Sequence, residues 1–420
     1  MSEFELRRNN LFETLPDNSV AIFFSGVAKV VSEDEYFPFV ANRNFFYLTG
    51  IEQEHSILML VKCPGERKSY LFLDEYNELK ERWTGKRLSF EQAQEISSLN
   101  NVYNYETFES MLDMALSKDS SVYGEISNLL LDLSDELKIG TNKSTQTFSK
   151  EIKEKYPNLE IVNSYSYVVN LRLIKSEEEV RYLEEAINAT NTGINDLLLN
   201  LHPGVIEHEL SDRFEYYGKT HGRRKLSFET IVAAGKDANI LHHPISQQEG
   251  VVGREDLVLF DLGYQHKGYC ADISRTYPVS GTFTELQRKI YEAVLNCNKA
   301  VIEYIKPGLT IFDLQNFAID FLKKECVRLG LLKDEDDIKK YYIHNVSHFL
   351  GLDTHDVGDR KKPLVAGNVI TVEPGLYFVE DGIGVRIEDD VLVTSTGSRC
   401  LSKGIKKEIS DIERLLKNRN

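Results

Sequence analysis

Four acidic residues interrupt or follow apolar, β-rich runs in the second half of this chain. They are Asp261 in LVLFDLG, Asp272 in GYCADISRTYP, Glu373 in VITVEPGLY and Glu388 in GVRIEDD. An ionised carboxylate in such a run is costly to bury unless it is paired or bound to a cation. Two expected hairpins carry the acids, one over residues 256–265 and 268–278, the other over 368–379 and 383–394. The second turns through Glu380, Asp381 and Gly382, and Asp-Gly is a strong turn signal. The spacing lets one acid from either strand face the same side of its hairpin. Two such hairpins facing each other would converge four carboxylates, whose mutual repulsion forces protonation unless it is compensated. Two divalent cations would compensate it. His348, in YIHNVSHFLGLDTHD, is a fifth ligand candidate. One imidazole among four carboxylates is an oxygen-dominated set suited to Mn2+, with Co2+, Fe2+ or Zn2+ as alternatives. Paired ions of this kind sit ~3.5–4 Å apart and activate a bridging water or hydroxide near neutral pH.

Spacing alone does not separate this centre from ordinary residues. A single acid at a strand end is usually a turn or surface residue, and Asp389 and Asp390, beside Glu388, are expected to be that. His344, His348 and His355 also fall at spacings that would place them on one helix face by coincidence.

The elements that would position these groups divide the chain in two. Residues 1–172 read as an α/β unit, with strand-like runs at 21–24, 56–61, 69–73 and 121–123 and helix-compatible stretches at 89–99 and 144–154. The boundary is expected within 170–175, ahead of a helix that Ser176 caps with Glu179 three residues on. Residues 173–420 then offer long helices at 207–221, 284–306 and 311–329 between the two hairpins. The openings VLFDLG and VITVEPG are alike, which hints at an internally duplicated, pseudo-symmetric half.

Composition bounds the function. Hydrophobic residues make up 41% and charged residues 28% of 420, ordinary for a globular protein of two domains. Apolar runs such as 57–61 fall far short of the ~18 residues that a membrane span needs. The opening MSEFELRRNN has no apolar core of a secretory signal, so a cytoplasmic protein is expected. Five scattered cysteines without a C-x-x-C pair predict free thiols. A net charge of −16 repels phosphate backbones and argues against a nucleic-acid partner.

The segments LHH at 241–243, FDLGYQHKGYCADISRTYPVSGTFTELQRKIY, HNVSHFLGLDTHDVG, VITVEPGLY and GVRIEDDVLVT closely resemble, in this order, the Xaa-Pro aminopeptidases (aminopeptidase P) and the related Xaa-Pro dipeptidases. RNFFYLTGIEQEHSILML and ERWTGKRLS extend the resemblance to the first unit. It implies a pita-bread catalytic domain of α/β (α+β) class over 173–420, preceded by a smaller α/β domain. It also implies that Asp261, Asp272, His348, Glu373 and Glu388 are the metal ligands, with Asp272 and Glu388 bridging both ions. His242 corresponds to a histidine lining the substrate site, and His355 to one that steadies the scissile carbonyl. His344 corresponds to a histidine near the proline pocket, and Arg386 to a site arginine. His243 stands where the family commonly has an aromatic residue, and the FVEDGI turn is shorter than in many relatives.

The expected substrate is therefore a peptide with proline second, cut between its first residue and the proline, with dipeptide hydrolysis as the alternative activity. A bond to proline has no N–H and a constrained geometry, so general peptidases position it poorly. A hydroxide between the ions would attack the carbonyl, with Glu373 as proton shuttle and His355 at the oxyanion. Asp261 and its ion would anchor the α-amine. The resemblance further implies a homo-oligomer, a dimer or tetramer, in which Trp83 can reach a partner's site.

Overall fold

In the computed structural model, which describes all residues except 75–76, 118–121, 135–136, 141–142, 224 and 418–420, the chain forms two compact units, Met1–Arg172 and Leu173–Asn420.

The first unit is built on a six-stranded mixed sheet. Its order is Glu160–Asn163, Asn128–Leu131, Ser19–Phe24, Ile57–Cys63, Glu66–Leu73 and Val102–Asn104. Ser19–Phe24 is buried along its whole length at the centre, which is why it reads as a continuous apolar run. Helices Phe90–Ser97 and Thr145–Lys155 start at side-chain caps from Ser89 and Ser144. The strand expected at 121–123 is not one. Ser121 lies outside the described residues, Val122 and Tyr123 form a turn, and the strand comes at Asn128–Leu131. Tyr123 faces Tyr70 by its hydroxyl, so its apolar body packs without joining the ladder.

The second unit opens with α1 (Glu177–Asn200), whose cap is reciprocal. Ser176 Oγ accepts from Glu179 N–H, and the Glu179 carboxylate accepts from Ser176 N–H at 2.8 Å. After α2 (Glu207–Thr220), β1 (Ile231–Ala234) pairs with β2 (Leu257–Leu262). The chain then makes β3 (Gln265–His266), β4 (Tyr269–Cys270) and β5 (Ile273–Pro278). Helices α3 (Glu285–Tyr304) and α4 (Ile311–Arg328) follow, both with capping boxes. The second arm contains β6 (Val369–Val372), β7 (Gly375–Phe378), β8 (Ile383–Arg386) and β9 (Asp389–Val393). The chain closes with β10 (Ser398–Cys400) and α5 (Ile409–Lys417).

Each arm is a hairpin broken in the middle, not the continuous ladder that its sequence suggests. β2 pairs with β5 and β3 with β4; β6 pairs with β9 and β7 with β8. The breaks have local causes. At Gly263 a Cβ would stand 1.9 Å from the Ala271 carbonyl oxygen, so only glycine allows this approach. In the second arm Pro374 supplies no N–H to continue the ladder. The shared layout realises the expected duplication. Asp272, Glu373 and Glu388 fall in or beside the breaks, where backbone leaves the ladder and side chains turn inward.

All five cysteines are free thiols. No helix among the described residues is long and apolar enough to cross a membrane.

Candidate active site

A cavity of about 190 Å³ opens between the two arms. Asp261, Asp272, Glu373, Glu388, His348, His242, His344, His355 and Arg386 all line it, together with Leu241, Asn345, Ser347 and Arg360. The sequence-predicted residues thus converge from widely separated stretches. One ligand atom each of Asp272, His348 and Glu388 lie within 4.8 Å of one another, and all three residues are buried.

His348 is not on a helix. Its segment runs beside β6, with Thr371 N–H donating to the His348 carbonyl at 2.9 Å and Glu373 N–H to the Val346 carbonyl at 2.9 Å. These bonds fix His348 next to Glu373. His348 Nδ1 is 3.0 Å from the Phe349 carbonyl. A carbonyl only accepts, so Nδ1 carries the proton and Nε2 is left for a ligand. Nε2 lies 3.3 Å from Asp272 Oδ2 and 3.7 Å from Glu373 Oε1.

The electrostatics are those of a cation site. Burial pushes the Glu388 carboxyl far up, and repulsion from Asp272, Glu373 and Asp261 adds to it. Burial also raises Glu373 to about 7, against the pull of His348 and Arg386. Asp261 is raised by burial, which outweighs the Arg386 guanidinium. Burial draws His348 down, but its bond to Asp272 and the charges of Asp272 and Glu373 carry it up to about 9. Asp261 Oδ1 is buried and has no hydrogen-bond partner. Carboxylates crowded until they resist ionisation, an imidazole Nε2 aimed at them and an orphaned carboxylate oxygen together fit divalent cations.

A chain of hydrogen bonds stiffens one wall. Arg386 Nη2 donates to Asp261 Oδ2 at 2.6 Å, Nη1 to Tyr377 Oη at 3.1 Å and Nε to Ser274 Oγ at 2.7 Å. Ser274 Oγ donates to Glu388 Oε2 at 2.7 Å. Tyr377 Oη is 2.9 Å from His344 Nε2, while His344 Nδ1 is 2.8 Å from the Asn345 carbonyl. His344 therefore carries its proton on Nδ1 and accepts from the tyrosine. Burial, reinforced by Arg386, lowers it to about 4, so it is neutral at pH 7.

His242 lines the cavity and His243 does not. His243 is buried beneath, its Nε2 3.1 Å from Glu207 Oε2. His355 meets His348 edge to face at 4.3 Å between ring centres and lies towards the mouth. Its pKa is lowered by burial and by His348, which leaves it neutral.

The expectation for Asp389 and Asp390 is overturned: both are fully buried. β9 lies between β6 and β10, and its residues Asp389, Asp390 and Val391 are all buried. Asp389 is paired with Arg275 at 2.8 Å and Lys407 at 2.6 Å, and these cations hold its carboxyl below the usual range despite burial. Asp390 Oδ2 accepts from Asp272 N–H at 3.2 Å, bracing a cavity-lining residue. Sequence reasoning also missed Ser274, whose hydroxyl joins Glu388 to Arg386, and Arg360 at the rim. Neither carries a signal beyond its place beside the motifs.

Residues 181–395 match the profile of metallopeptidase family M24, and residues 4–123 that of the aminopeptidase P N-terminal domain. The Xaa-Pro aminopeptidase of Haemophilus influenzae is 35% identical over 99% of this chain and 97% of its own length. That of Escherichia coli is 32% identical over 99% and 97%. Among solved structures, a candidate aminopeptidase P from Bacillus anthracis superposes with a TM-score of 0.93 at 40% identity, covering 100% of this chain and 98% of that one. Zinc-substituted E. coli aminopeptidase P in complex with product gives 0.89 at 30%, covering 100% and 99%. The catalytic unit has the pita-bread fold of these neighbours, and the chain belongs to metallopeptidase family M24 as a metal-dependent aminopeptidase of the Xaa-Pro aminopeptidase group.

Proposed function

We propose that Asp261, Asp272, His348, Glu373 and Glu388 hold two divalent cations, by preference Mn2+, and that the enzyme releases the first residue of peptides whose second residue is proline. The mutual crowding of Asp272, His348 and Glu388 within 4.8 Å is the observation that carries this reading. Bound there, a cation pair supplies charge compensation, activation of water near neutral pH and polarisation of the scissile carbonyl.

The protein's own groups do the rest. Asp261, held by Arg386, anchors the free α-amine and so limits cleavage to the first residue. The Glu373 carboxylate, set beside His348, is placed to take a proton from water and deliver it to the proline nitrogen. His355, neutral and next to His348, donates an N–H to the developing oxyanion. His242 and His344 border the substrate, and the Asn345 carbonyl fixes the tautomer of His344. Arg386 acts through Asp261 and Tyr377. Residues 1–172 support a homo-oligomer, in which the exposed Trp83 reaches a partner's cleft. The cytoplasm, where five free thiols stay reduced, suits such a protein.

The test is a product analysis. Manganese-loaded protein is incubated with Xaa-Pro and Xaa-Pro-Yaa peptides of increasing length. Release of the first residue from tripeptides and longer substrates supports the reading; cleavage of dipeptides alone replaces it with a dipeptidase.

A further inference from the structure

Asn298 occupies a position where the helical pattern of α3 calls for an apolar residue. Val294, Cys297 and Val301 around it are buried, and Asn298 itself is 0% exposed. A buried amide is costly unless every donor and acceptor is engaged. Here all are. Asn298 Nδ2 donates to the Val372 carbonyl at 3.1 Å and to the Ile387 carbonyl at 3.3 Å. Its Oδ1 accepts from Lys407 Nζ at 2.7 Å, and the same ammonium donates to Asp389 Oδ2 at 2.6 Å.

The acceptors have a common feature. Val372 immediately precedes Glu373, and Ile387 immediately precedes Glu388. Val372 ends β6 and Ile387 lies in the break between β8 and β9, so the two carbonyls come from opposite sides of the second arm. A single amide group therefore ties together the two backbone points from which the two glutamates project. Lys407 completes the clamp by holding Asp389 on the far side of Glu388.

We propose that Asn298, braced by Lys407, is a positioning residue that sets the separation of Glu373 and Glu388 for cation binding. The inference rests on the assignment of those two glutamates as ligands. Outer partners of metal ligands commonly change metal affinity or activity by about 10- to 100-fold when removed. A clamp on two ligands at once belongs in that range.

The experiment is calorimetric titration of chelator-treated, dialysed protein with Mn2+, alongside the melting temperature of the same metal-free samples. Asn298→Leu removes both carbonyl bonds at similar volume. We expect two ions still to bind at saturation, with affinity about 10- to 100-fold weaker. Lys407→Met keeps the carbonyl bonds and loosens only their brace. It should shift affinity in the same direction by a smaller factor, and it decides the matter if Asn298→Leu does not fold. A lowered melting temperature with Mn2+ affinity within twofold of the parent overturns the proposal, because a purely structural amide would behave that way. A parent protein that fails to bind two ions overturns the ligand assignment beneath it instead.

Discussion

Arg386 Nη2 lies 2.6 Å from Asp261 Oδ2, and both side chains are almost wholly withdrawn from solvent. The same guanidinium reaches Tyr377 and Ser274, so one cation holds three side chains behind one cavity wall. Removing one partner of a buried ion pair strands the other and costs about 3 kcal/mol or more. Arg386→Met should therefore lower the unfolding free energy of the metal-free protein at pH 7 by about that amount, measured by denaturant titration. An unchanged midpoint would show that Asp261 does not depend on this contact.

Glu373 is proposed both to hold a cation and to move the proton. Glu373→Gln keeps size and burial but loses the basic oxygen, so turnover should fall by about 10²-fold or more while the protein remains folded. Near-parental kcat in a metal-loaded, folded variant would remove Glu373 from the proton path.

His355 stands apart from the crowded carboxylates and contacts the ring of His348. If it donates to the oxyanion, His355→Ala should reduce kcat by about 10²-fold with KM little changed. An effect confined to KM would make it a binding residue.

The raised carboxyls make a signed prediction about pH. Glu373 is held near 7 in the folded protein and titrates near its ordinary 4.5 when unfolded. Between those values the folded state binds the extra proton, so stability falls as pH rises. Glu388 and Asp261 shift in the same sense. His348, raised to about 9, adds stability that is full below about 6.5 and lost as pH rises through 9. Metal-free protein should thus melt at progressively lower temperature from about pH 5 to 9, and Mn2+ should reverse the trend, because it binds the deprotonated ligands. Melts in chelator that rise over this range would contradict the site's electrostatics.

The ligand candidates were legible because they are anomalies: acids set in apolar β runs must meet compensation somewhere. Glycine and proline in those runs marked turns, yet the breaks at Gly263 and Pro374 depend on close approaches that appear only in three dimensions. Asp389 looked like a surface acid because its compensation is remote, with Arg275 and Lys407 arriving from another strand and from the C-terminal segment, and Asp390 because its bond to the Asp272 N–H is equally remote in sequence. The stand-in of His243 for an aromatic residue was visible, but its partner Glu207 lies on α2, 36 residues away. The helix start at Ser176 was readable because capping is local. The strand placed at 121–123 failed because Tyr123 packs against the sheet from a turn in which Val122 is left exposed.

Counting bound metal tests the central claim most directly. Purified protein loaded with Mn2+ and freed of excess should carry two ions per chain by elemental analysis, and Asp272→Asn with Glu388→Gln should abolish both. One ion or none in the parent, or two retained in the double variant, would contradict the account.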